Sequence, residues 1–270
     1  MTDFWTTVLE FSQVTSAKIG NQLLEYFGQV QADEKADGSL VTQADTWADK
    51  AIRDAIAANF NGHGILSEEG EKVFPDNDWC WVIDPIDGTT NFTRGIPIWS
   101  ISIGLLYKGM PVFGYIYLPT LNQSFHGYWE GNSGLAAPTD AFCNNQPIFT
   151  SNDAPSHNHF FNVCSRSRSV IQKDFPCKIR MLGAASYNFL MVANSAVLGS
   201  IEATPKIWDI AAAWVILKAA GGCWKSLKLQ PFPASPGVDY SHISFPTLVL
   251  SRPELISVFE PFLKDVEISL

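Results

Sequence analysis

The chain has 270 residues, enough for one large domain or two modest ones, and 46% apolar with 17% charged residues argues against disorder. A formal charge of -9 without any block of Lys or Arg argues against nucleic acid as a partner, and an acidic protein that handles anions needs metal ions or backbone N–H groups to hold them. No apolar run approaches the ~18 residues of a membrane span; MTDFWTTVLEFSQ carries acids where a secretory leader is basic; and Cys80, Cys143, Cys164, Cys177 and Cys223 form no CxxC, so the expectation is a cytoplasmic protein with free thiols.

Trp5, Val8, Leu9, Val14, Ile19, Leu23, Leu24 and Phe27 have the spacing of an amphipathic helix over 3–28, with a break near Thr15. A second helix is predicted over 43–60, with Trp47, Ala48, Ala51, Ile52, Ala55 and Ile56 on one face, Thr42 as N-cap and Asn61-Gly62 as the stop. Gly64-Ile65-Leu66 reads as a short strand entering Ser67-Glu68-Glu69. WSISIGLLY (99–107), PVFGYIYL (111–118) and QSFHGYW (123–129) read as an antiparallel meander, and EGNSG and CNNQ mark further turns. From about 150 the pattern alternates. HFFNVCS (159–165) is a strand, SYNFLMVANSAVL (186–198) a helix stopped by Gly199, and SIEAT (200–204) a short strand. WDIAAAWVILKAA (208–220) is a helix ending at Gly221-Gly222, FPTLVLS (245–251) a strand, and Pro253 opens a helix in PELISVFEPFLKDV. The expected architecture is one intimate unit of two halves: helices with a large antiparallel-rich sheet over 1–150, and a smaller α/β half over 151–270.

The chemistry gathers in WVIDPIDGTTNF (81–92), where an apolar strand ends at Asp84 and Asp87 follows after one turn. Buried carboxylates repel each other and need a positive partner, and a hard divalent cation with oxygen ligands is the simplest one. Pro85 stiffens the turn so that both acids and the Ile86 carbonyl can face one point, and Gly88-Thr89 offers unhindered N–H groups to an anion such as phosphate. Metal and phosphate sites side by side suggest phosphoryl chemistry. Read alone, Glu68 and Glu69 are a solvated surface pair, Asp209 is an acid that complements its helix dipole, and Asp45 is open to the same helix-start reading.

ILSEEG, WVIDPIDGTTNF and IWDIAAAWVILKAAGG, in that order, resemble the inositol monophosphatase family: Mg²⁺-dependent, lithium-sensitive phosphomonoesterases related to fructose-1,6-bisphosphatase. The likeness runs from the N-terminal helix to about residue 251. It implies an α+β fold, a layered αβαβα sandwich, in a homodimer that acts on a small phosphorylated metabolite through water activated by two to three Mg²⁺ ions. Glu68, Asp84 and the Ile86 carbonyl resemble the ligands of a first metal; Asp84, Asp87 and Asp209 resemble those of a second. Gly88 and Thr89 match positions that hold phosphate, Thr89 and Asp45 the pair that orients the attacking water, and Glu69 a supporting acid. Glu202 falls where the family contacts an inositol hydroxyl, and Gly183, Ala184 and Ala185 where it lines the polyol pocket. Lys35 is similar to a basic residue near the third metal or the phosphate, with its spacing to LVTQAD one residue short. Ala184 stands where a hydroxyl residue is frequent, and Pro205 and Lys206 depart from the animal inositol enzymes, with Lys206 read as an exposed lysine rather than a second-phosphate contact. The first choice of substrate is inositol monophosphate, and these departures leave fructose 1,6-bisphosphate, histidinol phosphate, a nucleotide 3′-phosphate and sugar phosphates generally open beside it.

Overall fold

In the computed structural model, which describes residues 2–35, 38, 40–131, 133–136, 138–172 and 174–263, the chain opens with the 25-residue helix α1 (Thr2–Tyr26). The short strands β1 (Asp33–Glu34) and β2 (Leu40–Val41) lead to α2 (Gln43–Asn59), β3 (Gly64–Ser67), β4 (Trp79–Asp87) and the five-residue α3 (Thr89–Thr93). The meander follows as β5 (Ser100–Tyr107), β6 (Met110–Leu118), β7 (Gln123–Tyr128), β8 (Asp140–Cys143) and β9 (Gln146–Pro147). The remainder runs β10 (Phe160–Val163), β11 (Lys178–Arg180), α4 (Ala185–Ala193), β12 (Gly199–Glu202), α5 (Ile207–Ala219), β13 (Cys223–Ser226), β14 (Thr247–Leu250) and α6 (Ile256–Phe259).

Two large sheets organise these elements. One has the order β3-β4-β5-β6-β7-β8-β9, parallel at β3/β4 and antiparallel elsewhere; the other has the order β11-β10-β12-β14-β13, parallel across its first three strands. The period of two along each strand sends alternate side chains to opposite faces, and that creates the layers. On β4, Trp81 and Ile83 pack under α1 and α2, while Val82 faces α4 and α5. On β14, Val249 faces the same central helices, while Leu248 and Leu250 pack against Leu255 and Phe259 on the far side. The resulting order is helix, sheet, helix, sheet, helix, the α+β sandwich expected above.

α5 is apolar on nearly every side, because it is the filling between two sheets. It lies almost backbone to backbone on the larger sheet. Gly104, Gly114 and Gly127 are paired in register across β5, β6 and β7. A methyl group on Gly114 would sit 2.2 Å from the Ala212 carbonyl oxygen, and those on Gly104 and Gly127 would sit 3.0 Å from Ala211 and Ile216.

Several expectations need correction. α1 does not break at Thr15: Ser12, Thr15 and Ser16 face the protein interior, and Ser12 Oγ donates to the Val8 carbonyl at 2.8 Å, so small hydroxyl residues substitute for apolar ones on the inner face. Val14 and Trp47, assigned to inner faces by spacing, are exposed. α4 ends at Ala193, with Ser195 in the left-handed region, so Gly199 starts β12 instead of stopping the helix. The C-terminal helix shrinks to α6 between two 3₁₀ turns, with Pro261 in the second; Lys264, Asp265 and Val266 lie outside the described residues. Strands β8, β9, β11 and β13 lacked a clear apolar alternation and were not expected.

Candidate metal and phosphate site

β4 does not end at Asp84. It continues to Asp87 through a β-bulge: Asp84 pairs with Ser102 and Asp87 with Ser100, so three steps on β4 oppose two on β5. In a regular strand residues three apart point to opposite faces; one extra residue restores them to the same face. Asp84 and Asp87 therefore both turn toward the start of α5, where Asp209 occupies the first helical turn and its Oδ2 accepts the Lys206 backbone N–H at 2.7 Å. Oxygens of Asp84, Asp87 and Asp209 lie within 4.8 Å of one another. The helix-start role of Asp209 and its place in the cluster coexist in one side chain.

Parallel pairing of β3 with β4, Ser67 opposite Ile83, delivers Glu68 to the same point, where the Glu68 N–H donates to the Ile83 carbonyl. Burial, then the neighbouring carboxylates, pushes Asp84 and Asp209 well above the ordinary carboxylate range; burial likewise raises Glu68, Glu69 and Asp87. Asp87 is helped to stay charged by the Ala185 and Ser186 N–H groups and the Ser186 hydroxyl, which all donate to it. Glu68 and Glu69 are not a solvated pair. Lys35 Nζ donates to Glu68 Oε1 at 2.9 Å and to Glu69 Oε1, and these carboxylates hold its ammonium above its ordinary value despite burial. The short spacing to LVTQAD thus still delivers Lys35 to the site.

Thr42 and Asp45 form a reciprocal capping box at the start of α2: Thr42 Oγ1 accepts from the Ala44 and Asp45 N–H groups, while Asp45 Oδ2 accepts from Thr42 N at 2.9 Å. The box leaves Asp45 Oδ1 facing Thr89 Oγ1 at 3.1 Å, and the Ile86 carbonyl lies at the same distance from that hydroxyl. Burial pushes Asp45 up to about 6, against hydrogen bonds from Thr42 and Thr89 that favour its charged form. Gly88, at φ +94°, turns the chain from β4 into α3 where any Cβ would press on the Ile98 and Gly183 carbonyls.

A cavity of about 520 Å³ joins these groups to the residues that the resemblance assigns to a polyol. Glu68, Asp84, Ile86, Asp87, Gly88, Thr89, Gly183, Ala184, Ala185, Glu202 and Asp209 all line it, and Asp45 stands behind Thr89. Asn91 fixes one wall: its Nδ2 donates to the Ile98 and Leu182 carbonyls at 2.7 Å each, just before Gly183. On another wall Asn188 donates to Glu202 Oε1 at 2.6 Å, and burial brings the Glu202 carboxyl up to about 7. Lys206 is not an exposed lysine. It is half-buried in the cavity lining, with Nζ donating to the Ser241 carbonyl at 3.0 Å, because it ends the short turn between β12 and α5. Arg166, Asn188 and Ser186 carried no assignment from the sequence. Arg166 and Asn188 have a signal in retrospect: one follows the C-terminal end of a parallel strand and the other lies one turn into a helix that begins at the cavity.

Buried carboxylates and a tight glycine turn, at one cavity of a layered α+β sandwich, place the protein in a structural class. The family model described as the inositol monophosphatase family matches residues 5–246, and the chain belongs to that family of phosphatases. The chain is 33% identical over 241 residues to a fructose-1,6-bisphosphatase/inositol-1-monophosphatase of Aquifex aeolicus, covering 84% of this chain and 88% of the relative. It is 30% identical to a histidinol-phosphatase of Chlorobaculum parvum, over 81% of this chain and 85% of that one. The solved structure of a Thermotoga maritima IMPase superposes with a TM-score of 0.77 at 27% identity, covering 96% of this chain and 98% of that one. The resemblance read from the three sequence segments is thereby borne out. Among the described residues no helix is long and apolar enough to cross a membrane.

Proposed function

We propose that this phosphatase is a Mg²⁺-dependent phosphomonoesterase that hydrolyses inositol monophosphate or a similar small sugar or polyol phosphate. The observation that carries the reading is the convergence of Asp84, Asp87 and Asp209 within 4.8 Å, in the same cavity as Gly88 and Thr89. The donor set is all oxygen and anionic, and it suits hard cations. Glu68, Asp84 and the Ile86 carbonyl would hold one ion; Asp84, Asp87 and Asp209 would hold a second, with Asp84 shared. When bound, two such ions supply an acidic water for attack and charge neutralisation for the leaving oxygen.

The chain's own groups do the rest. The Gly88 and Thr89 N–H groups face the phosphate oxygens. Thr89 Oγ1 has a single proton and two acceptors at 3.1 Å, Asp45 and the Ile86 carbonyl, so its lone pairs are turned outward to take a hydrogen bond from the attacking water. Asp45, at about 6, is ionised at neutral pH and stands behind Thr89 as the final acceptor of that proton. Glu202, oriented by Asn188, accepts a hydroxyl of the leaving polyol. A cavity of about 520 Å³ suits a substrate of this size. The family resemblance also supports a cytoplasmic homodimer inhibited by lithium, which gel filtration and assays in millimolar Li⁺ would test.

A second reading, fructose-1,6-bisphosphatase-type activity, is favoured by Arg166 and Lys206, which bring two cations into the lining of the same cavity. Phosphate release from inositol 1-phosphate, fructose 1,6-bisphosphate, histidinol phosphate and 3′-phosphoadenosine 5′-phosphate, with and without Mg²⁺, separates the readings. Mg²⁺-dependent release with the polyol monoester ahead is the expected result. Inositol 1-phosphate among the worst substrates would overturn the first choice, and release indifferent to Mg²⁺ would overturn the metal reading.

A further inference from the structure

Asp87 is gripped by a set of donors that the phosphatase reading does not use. Its Oδ1 accepts the Ala185 N–H at 3.1 Å; its Oδ2 accepts the Ser186 N–H at 2.8 Å and the Ser186 hydroxyl. Ser186 Oγ in turn lies 2.8 Å from Ser100 Oγ, on the strand that pairs with Asp87. Both serines are fully buried, so neither hydroxyl is bonded to bulk water. A hydroxyl has one proton to give. The carboxylate can only accept, so it takes the Ser186 proton, and the contact between the serines must then run from Ser100 to Ser186. The result is a directed chain, Ser100 to Ser186 to Asp87, that joins β5, the start of α4 and the end of β4.

We infer that Ser186, oriented by Ser100, is a positioning residue of the metal centre: it fixes the rotamer of Asp87 and locks that ligand to the helix whose preceding residues, Gly183 and Ala184, wall the substrate cavity. The geometry supplies the reason. Asp87 follows a bulge, where ladder bonds are interrupted and cannot hold the side chain by themselves. Two of its three protein donors come from Ser186 alone. With that hydroxyl directed at Oδ2, the remaining lone pairs of the carboxylate stay turned toward Asp84 and Asp209.

The inference rests on the reading that Asp87 holds a divalent ion, and Mn²⁺ binding measured by calorimetry without substrate tests both. Ser186→Ala removes the hydroxyl, while Ser186→Cys nearly preserves its volume and offers only a weak donor. Each is expected to weaken Mn²⁺ binding on the order of 10–100-fold, as loss of an outer-shell partner does. Ser100→Ala should weaken it less, and adding Ser100→Ala to Ser186→Cys should cost nothing further, because the chain is already cut. A merely structural role would lower the melting temperature in chelator and leave Mn²⁺ affinity intact. Affinity within about twofold of the parent in Ser186→Cys overturns the inference, since outer-shell losses are far larger. A Ser100→Ala loss that persists undiminished in the Ser186→Cys background overturns the directed chain. A parent protein that binds no Mn²⁺ removes the metal reading itself, and this inference with it.

Discussion

At the residue scale, Asp45 shows how one side chain serves two purposes. Its Oδ2 closes the capping box of α2, and its Oδ1 meets the Thr89 hydroxyl, which in the proposed mechanism takes a hydrogen bond from the attacking water. The sign of its pH effect follows from burial. The folded-state value is raised from the ordinary carboxylate range to about 6, so the acid is protonated, and useless as a base, until the pH passes that value. Proton handling by Asp45 is therefore expected to give kcat/KM an acid limb displaced upward from the ordinary carboxylate range near pH 4. An unchanged acid limb in Asp45→Asn would remove it from proton handling. The presence of Asp45 at a helix start was legible, because Thr42 as N-cap places it in the first helical turn. Its approach to Thr89, 44 residues later in the chain, was not, since only the packing of α2 against β4 brings the two together. Lys206 was misread for the same reason: its partner, the Ser241 carbonyl, is 35 residues away in sequence.

At the element scale, the placement of α5 controls Asp209. Local periodicity was enough to predict this helix, its stop at Gly221 and the meander under it. What periodicity does not encode is how closely the two approach. The glycines of β5, β6 and β7 look in the sequence like weak points within strands; in the fold they form a floor on which a helix rests. Gly114→Ala would drive a methyl group into the backbone of Ala212, where no flexible side chain can yield. The expected cost is about 3 kcal/mol, at the upper end for overpacking, with metal affinity falling as the start of α5 is displaced. Urea denaturation reads the first effect and calorimetry the second. A stability loss below about 0.5 kcal/mol, the ordinary range for harmless surface changes, would show that helix and sheet separate easily. Inner faces were harder to read. The spacing of Val14 and Trp47 fits the buried stripe, yet both are exposed, because Ser12, Thr15 and Ser16 on α1 and Ala44 and Ala48 on α2 hold buried positions of those helices.

At the scale of the whole molecule, burial of acids in a chain of formal charge -9 has a thermodynamic signature. Asp84, Asp87, Asp209 and Glu68 all have folded-state values above those of the unfolded chain. The folded state therefore binds more protons, and their contribution to stability is largest below the ordinary carboxylate range and is lost as pH rises through the raised values. In chelator, the melting temperature is expected to climb as pH is lowered from the alkaline side through the raised values, because these carboxyls become neutral where they are buried. In the proposed reading Mg²⁺ binds the folded state alone, and it should then raise the curve most at the alkaline end and flatten it. Parallel curves with and without Mg²⁺ would mean that the ion does not act on this cluster. The two halves were legible from the meander followed by alternating strands and helices, while the layering was implied by the family resemblance, because the burial of each sheet on both faces is a tertiary property that local periodicity does not carry.

The bulge between Asp84 and Asp87 gives the strand a phase as well as a sequence. Delete Pro85 or Ile86, and every acid, threonine and glycine of the motif remains in the chain. Asp87 would then be two steps from Asp84 in a regular ladder, still opposite Ser100 and still on the same face, so the two side chains would keep their common direction. What would go is the bulge itself, and with it the local bend that brings the Ile86 carbonyl within 3.1 Å of the Thr89 hydroxyl. Insertion of one residue would instead enlarge the bulge or move Asp87 off Ser100. The spacing of the two aspartates thus presents a backbone oxygen between them as well as two carboxylates on one face.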